Sequence, residues 1–189
     1  MVRLTKIYTK RGDQGETDLA GGHRIAKHSL RIEVIGVVDE VNAAVGFAIE
    51  ALKQHLPKNI LIDQCRRIQN ELFNLGSQIA VLQQDRRENT PVIQLKNIEQ
   101  LEIEIDEMNA NLAPLKSFVL PGGSETAARL HLARTECRKA ERAAVALART
   151  EKSFELEILA YLNRLSDWLF VASRSVNATL QVEEILWQS

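Results

Sequence analysis

The chain lacks most of the features that would assign it to a specialised class of protein. Two cysteines in 189 residues exclude a disulfide framework, and their wide separation matches no zinc-binding spacing. No apolar run reaches the roughly 18 residues of a membrane-spanning helix. The 24 Lys and Arg residues are balanced by 25 Asp and Glu residues, so general nucleic-acid binding is not expected. Cys65 and Cys137 are therefore expected to be reduced thiols of a cytoplasmic protein.

Several catalytic arrangements are also missing. No Ser-His-Asp order, pair of carboxylates or activated cysteine is visible, and the four histidines show no metal-ligand spacing. The G-x-x-x-x-G-K-[ST] spacing of P-loop nucleotidases is absent. The sequence thus predicts neither a general base nor a metal site built from side chains.

The chain does contain an unusual first segment. Four of the nine glycines lie there, namely Gly12, Gly15, Gly21 and Gly22. Cationic and hydroxyl side chains are interleaved with them: Lys6, Lys10, Arg11, His23, Arg24, Lys27, Thr5, Thr9 and Thr17. Glycine lets backbone N–H groups approach an anion, and lysine and threonine add charge and neutral donors. This composition favours a polyphosphate site, and the alternative is a mobile charged tail.

The rest of the chain has helical periodicity. Apolar residues recur at helical spacing in five segments, at about 28–54, 60–83, 95–111, 124–150 and 154–177. Strand alternation does not compete, apart from an ambiguous stretch from Val2 to Tyr8. We therefore expect an all-α protein, a five-helix up-and-down bundle over 28–180. The whole chain, 1–189, is expected to be one domain with a glycine-rich nucleotide-binding leader at 1–27.

Charged residues occupy unexpected places in this pattern. Arg134 and Glu141 fall on the apolar seam of the fourth helix, and Arg138 and Arg142 extend Arg134 into a ridge. One interpretation is a solvated surface with pairs among Arg138, Glu141 and Arg142. The other interpretation is that these charges have a function, because a charge beside an apolar seam is unfavourable unless it is paired. The polar helix faces that contain Asp39 and Asn163 allow the same two interpretations, a solvated surface or a functional site.

Six segments together carry a family resemblance. They read Thr9-Lys-Arg-Gly-Asp-Gln-Gly-Glu-Thr, Lys27, Gly36-Val-Val-Asp-Glu-Val-Asn, Phe118-Val-Leu-Pro-Gly-Gly, Arg134-Thr-Glu-Cys-Arg-Lys-Ala-Glu-Arg and Tyr161-Leu-Asn-Arg-Leu-Ser-Asp. In this order, over about residues 5–176, they resemble the PduO-type ATP:cob(I)alamin adenosyltransferases. The resemblance implies a homotrimer with active sites between subunits. It also implies transfer of the 5′-deoxyadenosyl group of ATP to the cobalt of reduced cobalamin, with Mg²⁺ as cofactor and triphosphate as product.

The resemblance also implies the site residues. For the nucleotide they are Thr9, Lys10, Arg11, Gly12, Asp13, Gly15, Thr17, Asp18, Lys27, Arg138, Glu141, Arg142 and Asn163. Arg11 is at a variable position of the leader, and Lys139 stands where an arginine is expected. For the reaction, Asp39 and Arg134 match a pair that bridges subunits, Phe118 matches an aromatic against the lower face of the corrin, and Arg138 contacts the nucleotide.

The implied chemistry fits the missing general base. Cob(I)alamin is itself a strong nucleophile, so catalysis requires positioning and stabilisation of the leaving triphosphate. Two alternatives remain at this point: a non-catalytic, ATP-responsive trimeric carrier or sensor of adenosylcobalamin, and a structural helical oligomer. A cobalamin reductase and an adenosylcobalamin-dependent client enzyme are possible further partners.

Overall fold

The computed structural model describes residues 7–188, which form a bundle of five helices. The helices are α1 (Leu30–His55), α2 (Leu61–Ala80), α3 (Leu95–Asn109), α4 (Glu125–Thr150) and α5 (Leu156–Thr179). A single 3₁₀ turn, Gln83–Asp85, follows α2. The five-helix bundle expected from periodicity is confirmed. Within residues 7–188, no helix combines the length and the apolar character needed to cross a bilayer.

Local residues explain where the helices begin and end. Ser29 and Ser124 are extended, and their hydroxyls accept hydrogen bonds from the N–H groups of Ile32 and Ala127, so they cap α1 and α4. The predicted end of α2 near Gln83 was wrong. Val81 is already extended (φ −106°, ψ 119°), so the helix stops at Ala80.

The leader contains the only strands among residues 7–188. Strands β1 (Glu16–Asp18) and β2 (Arg24–Ala26) pair antiparallel, with Thr17 opposite Ile25. These strands were not predicted, because three residues are too few to show alternation, and they lie outside the five helical segments. The ambiguous Val2 to Tyr8 stretch lies almost wholly outside the described residues.

The core is aliphatic and continuous through the bundle. Helix α1 packs against α2 and α4, α4 packs against α5, and α5 packs against α3. Fully buried side chains include Leu52, Ile68, Leu101, Leu130 and Leu165. Each such side chain contributes about 1.5–3 kcal/mol on burial, so this core is the main driving force for folding.

A polar network crosses one side of this core. Arg67 on α2 donates to Glu71 (2.7 Å) and to Glu104 on α3 (2.8 Å). From α5, the Tyr161 hydroxyl donates to Glu71 (2.7 Å) and the Trp168 indole N–H donates to Glu104 (2.8 Å). Burial lowers the pKa of Arg67, but the hydrogen bond and charge of Glu71 outweigh it and leave the pKa raised. All four carboxylate oxygens of Glu71 and Glu104 therefore accept hydrogen bonds, because Gln100 donates to the remaining oxygen of Glu104 (3.0 Å).

Removing the arginine should show what this network contributes. In Arg67→Met, two buried carboxylates lose their cation, so we expect the free energy of unfolding to fall by about 3–5 kcal/mol. Urea denaturation followed by circular dichroism measures the change. Arg66→Met is the matched control, because Arg66 is the exposed neighbour and should change stability by less than about 0.5 kcal/mol. Equal losses in both variants would contradict the prediction.

Candidate functional site

The leader folds so that Lys27 lies against its glycine-rich turn. The backbone N–H of Lys27 donates to the Gly15 carbonyl (2.8 Å), and the N–H of Gly15 donates to the Gly12 carbonyl (3.3 Å). A Cβ on Gly12 would lie 3.1 Å from Lys27 Nζ, so the amine contacts the turn directly. Gly15 has φ +84°, which favours glycine. The structure thus brings together three predicted residues, Gly12, Gly15 and Lys27.

Arg24, which was not among the predicted site residues, organises the charges of the leader. Its guanidinium donates to Glu16 (3.1 Å), Asp18 (3.4 Å) and the Arg11 carbonyl (3.1 Å). Arg11 also pairs with Asp18 at 3.2 Å. The pairing of Asp18 with Arg24 depends on the hairpin register, which periodicity could not reveal. Asp18 is therefore bound to two arginines of its own chain.

The remaining predicted leader residues lie at the surface. Thr9, Lys10 and Asp13 are exposed, and Thr17 is half-buried within β1. Lys10 has φ +58°, a left-handed conformation that is uncommon outside glycine. The leader therefore presents hydroxyl, amine and backbone donors to solvent on one short folded segment.

The hairpin is fastened to the bundle near the end of α2. Leu19 is buried, and the Ala20 N–H donates to the Ala80 carbonyl (3.0 Å). The Nε2 atom of His23 lies 2.9 Å from Asp85 Oδ2, and Gly21 packs so closely on Asp85 that a Cβ there would collide with the carboxylate. Asp85 therefore supports the turn between the two strands.

The charged residues around the arginine ridge of α4 form different pairs from those that the sequence suggested. Glu141 accepts from the Asn163 amide on α5 (2.9 Å), and Arg142 donates to the Arg138 carbonyl (3.0 Å). Within residues 7–188, Arg138 and Arg142 form no ion pair, although both are exposed. The proposed surface pairs among Arg138, Glu141 and Arg142 were wrong. Glu141 and Asn163 form one unit, and two exposed guanidinium groups remain beside it.

Asp39 lies at a groove between α1 and α2, away from the Glu141–Asn163 unit of α4 and α5. This groove has a volume of about 470 Å³ and is lined by Gly36, Asp39, Asn42 and apolar neighbours that include the exposed Phe73. The next residue, Glu40, pairs with Lys139 of α4 at 2.5 Å. Lys139 therefore joins α1 to α4.

Phe118 and Arg134 line one cavity. It has a volume of about 620 Å³ and is lined by Leu115, Lys116, Ser117, Phe118, Val119, Arg134, Phe170 and Trp187. Phe118 is 78% exposed, and its ring meets that of Trp187 edge to face at 6.3 Å. Phe170 and Trp187 were not predicted as site residues. Nothing in the sequence spacing links Trp187 to Phe118.

Both ends of the connector that carries Phe118 are fixed. At its start, the Trp187 N–H donates to the Phe118 carbonyl (2.7 Å) and the Leu120 N–H donates to the Ile185 carbonyl (2.8 Å). At its end, Asn177 of α5 accepts from the N–H and hydroxyl of Ser124 (2.9 Å each). Gly123 (φ +92°) packs so tightly on Asn177 that no Cβ fits. An exposed phenylalanine is thereby held on a rigid segment.

Arg134 is half-buried, whereas Arg138 and Arg142 of the same ridge are exposed. Burial, followed by the charge of Arg138, lowers the pKa of its guanidinium. Its Nε atom is buried and pairs with no group among residues 7–188. Asp39 and Arg134 line separate cavities, so within one chain the structure does not bring this predicted pair together. Arg134 thus retains an unsatisfied donor at the Phe118 cavity.

Comparison with known proteins gives consistent matches along the chain. A family model described as cobalamin adenosyltransferase matches residues 7–176. The corrinoid adenosyltransferase of Bacillus subtilis is 41% identical over 183 residues, covering 97% of this chain and 92% of its own. The cobalamin adenosyltransferase of Cupriavidus metallidurans is 40% identical over 186 residues, covering 98% of this chain and 96% of the relative.

A solved structure is similar over the same extent. It is a variant of the PduO-type ATP:corrinoid adenosyltransferase from Lactobacillus reuteri, complexed with cobalamin and ATP. It superposes with a TM-score of 0.91 at 35% identity, covering 97% of this chain and 100% of its own. At this identity and coverage the similarity extends to the whole fold.

Removing the Asp85 carboxylate should loosen the leader without unfolding the bundle. In Asp85→Ala, the support for Gly21 and His23 is lost, so we expect the Ala20 amide to exchange about tenfold faster or more. Hydrogen exchange followed by mass spectrometry measures this, with core amides of α4 as the internal reference. Asp63→Ala, an exposed carboxylate on α2, is the control and should leave the exchange unchanged. An unaltered Ala20 amide in Asp85→Ala would show that Asp85 does not support the hairpin.

Proposed function

The chain belongs to the cobalamin adenosyltransferase family, and on that premise we propose that it transfers the 5′-deoxyadenosyl group of ATP to Co(I) of reduced cobalamin. The observation that carries the proposal is the exposed Phe118 on a segment fixed at both ends, in one cavity with Arg134. An aromatic and an arginine that line one concave cavity offer a ligand both apolar surface and a polar group. The complex of the Lactobacillus reuteri protein with cobalamin and ATP supports both substrates.

The proposed reaction is a displacement at the ribose C5′ carbon. The Co(I) electron pair forms the Co–C5′ bond, the C5′–O bond breaks, and its electrons leave on triphosphate. Cobalt is thereby formally oxidised by two electrons, and no proton is transferred. This accounts for a site with arginines and lysines but no candidate base.

The leader and the α4–α5 surface are the proposed nucleotide site. We assign ATP contacts to Thr9, Lys10, Arg11, Gly12, Asp13, Gly15, Thr17, Asp18, Lys27, Arg138, Glu141, Arg142 and Asn163. The contact of Lys27 with Gly12 and the Glu141–Asn163 hydrogen bond support two parts of this set. Among residues 7–188 the exposed guanidinium groups of Arg138 and Arg142 form no ion pair, so they can supply the forks that phosphate oxygens require.

Magnesium fits this site only as a partner of the nucleotide. Within residues 7–188, no group of three or more His, Cys, Asp or Glu side chains could hold a metal ion. Mg²⁺ commonly binds through substrate phosphates with few protein ligands, so we propose that it enters with ATP. There it would neutralise charge on the departing triphosphate.

Phe118 is proposed to act on the lower face of the corrinoid. Co(I) needs no lower axial ligand, and the presence of such a ligand makes the reduction of cobalt to Co(I) harder. An aromatic side chain in the place of that ligand therefore favours the reactive Co(I) state. The rigid connector suits this role because a mobile phenylalanine would not displace a ligand. We propose that Asp39 and Arg134 approach each other across the interface of a homotrimer, because both reach the surface but lie apart within one chain.

A carrier or sensor of adenosylcobalamin is the second candidate, and it would keep the leader without forming the Co–C bond. A cobalamin reductase and a client enzyme remain proposed partners, whether the protein is a transferase or a carrier. An anaerobic mixture of the protein, chemically reduced cobalamin and MgATP separates the two. The alkylcobalamin spectrum with matching triphosphate supports the transferase, whereas nucleotide binding without that spectrum supports the carrier.

Truncating Phe118 should affect the metal chemistry more than nucleotide binding. In Phe118→Ala we expect adenosylation to slow roughly 10- to 100-fold, as for residues that tune a metal site, with ATP affinity nearly unchanged. The rate is followed by absorbance and the affinity by calorimetry. Leu120→Ala, on the same connector but outside the cavity lining, is the control. An unchanged rate in Phe118→Ala would refute the proposed role.

Removing Arg138 should abolish turnover while preserving assembly. In Arg138→Ala we expect a loss of about 10²–10³ in kcat, the size of one electrostatic donor to a leaving group. Analytical ultracentrifugation tests whether the oligomer persists. Arg149→Ala, exposed in the last turn of the same helix, is the control and should retain full activity. Dissociation of the oligomer in Arg138→Ala would assign the residue to assembly instead.

A further inference from the structure

His131 lies inside the bundle, one turn before Arg134 on α4, and the proposed reaction gives it no role. Its side chain is only 2% exposed. Its ring packs at 6.1 Å from the ring of Phe170, which lines the Phe118 cavity together with Arg134. The imidazole is therefore separated from the cavity by one side chain.

The hydrogen bonds of Ser173 determine which nitrogen of this imidazole carries the proton. The Ser173 hydroxyl donates its single proton to the Phe170 carbonyl (2.7 Å). The same oxygen lies 3.2 Å from His131 Nε2, and with its proton on the carbonyl it accepts there from Nε2–H, which favours the Nε2-protonated tautomer. Burial, with a smaller effect from the charge of Arg134, lowers the pKa of His131 to about 4, so the ring is neutral at pH 7. Nδ1 is consequently a free acceptor.

This acceptor and a complementary donor are neighbours. His131 Nδ1 is buried and has no partner among residues 7–188, and the same holds for Arg134 Nε. Residues three apart on a helix lie side by side on its surface. A buried donor and a buried acceptor are each unfavourable when unpaired, and pairing them removes both penalties.

We propose that His131 is a positioning residue for Arg134. When the active site is occupied, Arg134 Nε–H donates to His131 Nδ1, which sets the direction of the guanidinium and leaves its terminal nitrogens for the proposed contact with Asp39 across the subunit interface, beside the Phe118 cavity. The activity test of this inference rests on the proposed adenosyl transfer, whereas its spectroscopic test does not require turnover.

Two substitutions separate the two ring nitrogens. In His131→Asn the amide oxygen can take the place of Nδ1, and in His131→Gln the amide reaches the place of Nε2 and keeps the contact with Ser173. We expect His131→Gln to lower kcat/KM for the corrinoid about 10- to 100-fold, and His131→Asn to stay within about threefold of the parent. The KM for ATP should change in neither variant. Any other ranking overturns the proposal, because a packing role through Ser173 would favour glutamine.

A measurement on the unaltered protein keeps the inference testable if these variants do not fold. Long-range ¹H–¹⁵N spectra of histidine-labelled protein at pH 7 should show His131 neutral, with its proton on Nε2. On saturation with adenosylcobalamin, the Nδ1 resonance should shift as it accepts a hydrogen bond. A proton on Nδ1, or an unchanged Nδ1 resonance in the bound state, overturns the proposal. Failure of the parent protein to form adenosylcobalamin contradicts the proposed function instead, and it is detected before any variant is compared.

Discussion

One arginine shared by two buried carboxylates fixes how three helices fit together. Each oxygen of Glu71 and Glu104 needs a donor, because an unpaired buried charge costs several kcal/mol. The donors come from α2 and α3 themselves and from Tyr161 and Trp168 on α5. Sliding α5 by one turn, about 5.4 Å, would break both of its contacts. The register of α5 then places Asn163 beside Glu141 and Phe170 at the Phe118 cavity.

Much of the fold was predictable because it is carried by local signals. The apolar period located all five helices, and the Ser124 cap of α4 is likewise a local signal. The hairpin of the leader and the 3₁₀ turn were not predictable in the same way. Their short segments have no period of their own, and distant partners hold them in place, as when Ala20 binds the Ala80 carbonyl. Local patterns cannot report such contacts.

The candidate site was likewise only partly predictable from the sequence. Residue types predicted an anion site in the leader, which stays a prediction, and the motif order singled out Phe118 and Arg134, which the structure places in one cavity. Arg24 and Trp187 were missed because their contacts depend on strand register and on a pairing across about 70 residues. The pairing of Asp39 with Arg134 remains a prediction, because one chain contains only half of any contact between subunits. Periodicity therefore predicts scaffolds better than the contacts that complete a site.

The pairing of residues 117–120 with 185–187 has a consequence for the order in which the protein forms. Synthesis proceeds from the N-terminus, so the segment that holds the Phe118 carbonyl, residues 185–187, is made after all five helices. It lies beyond residue 176, where the family match ends. One wall of the Phe118 cavity is therefore completed only after the five helices have been made. A chain with all five helices in place still has no finished site until residues 185–187 join it.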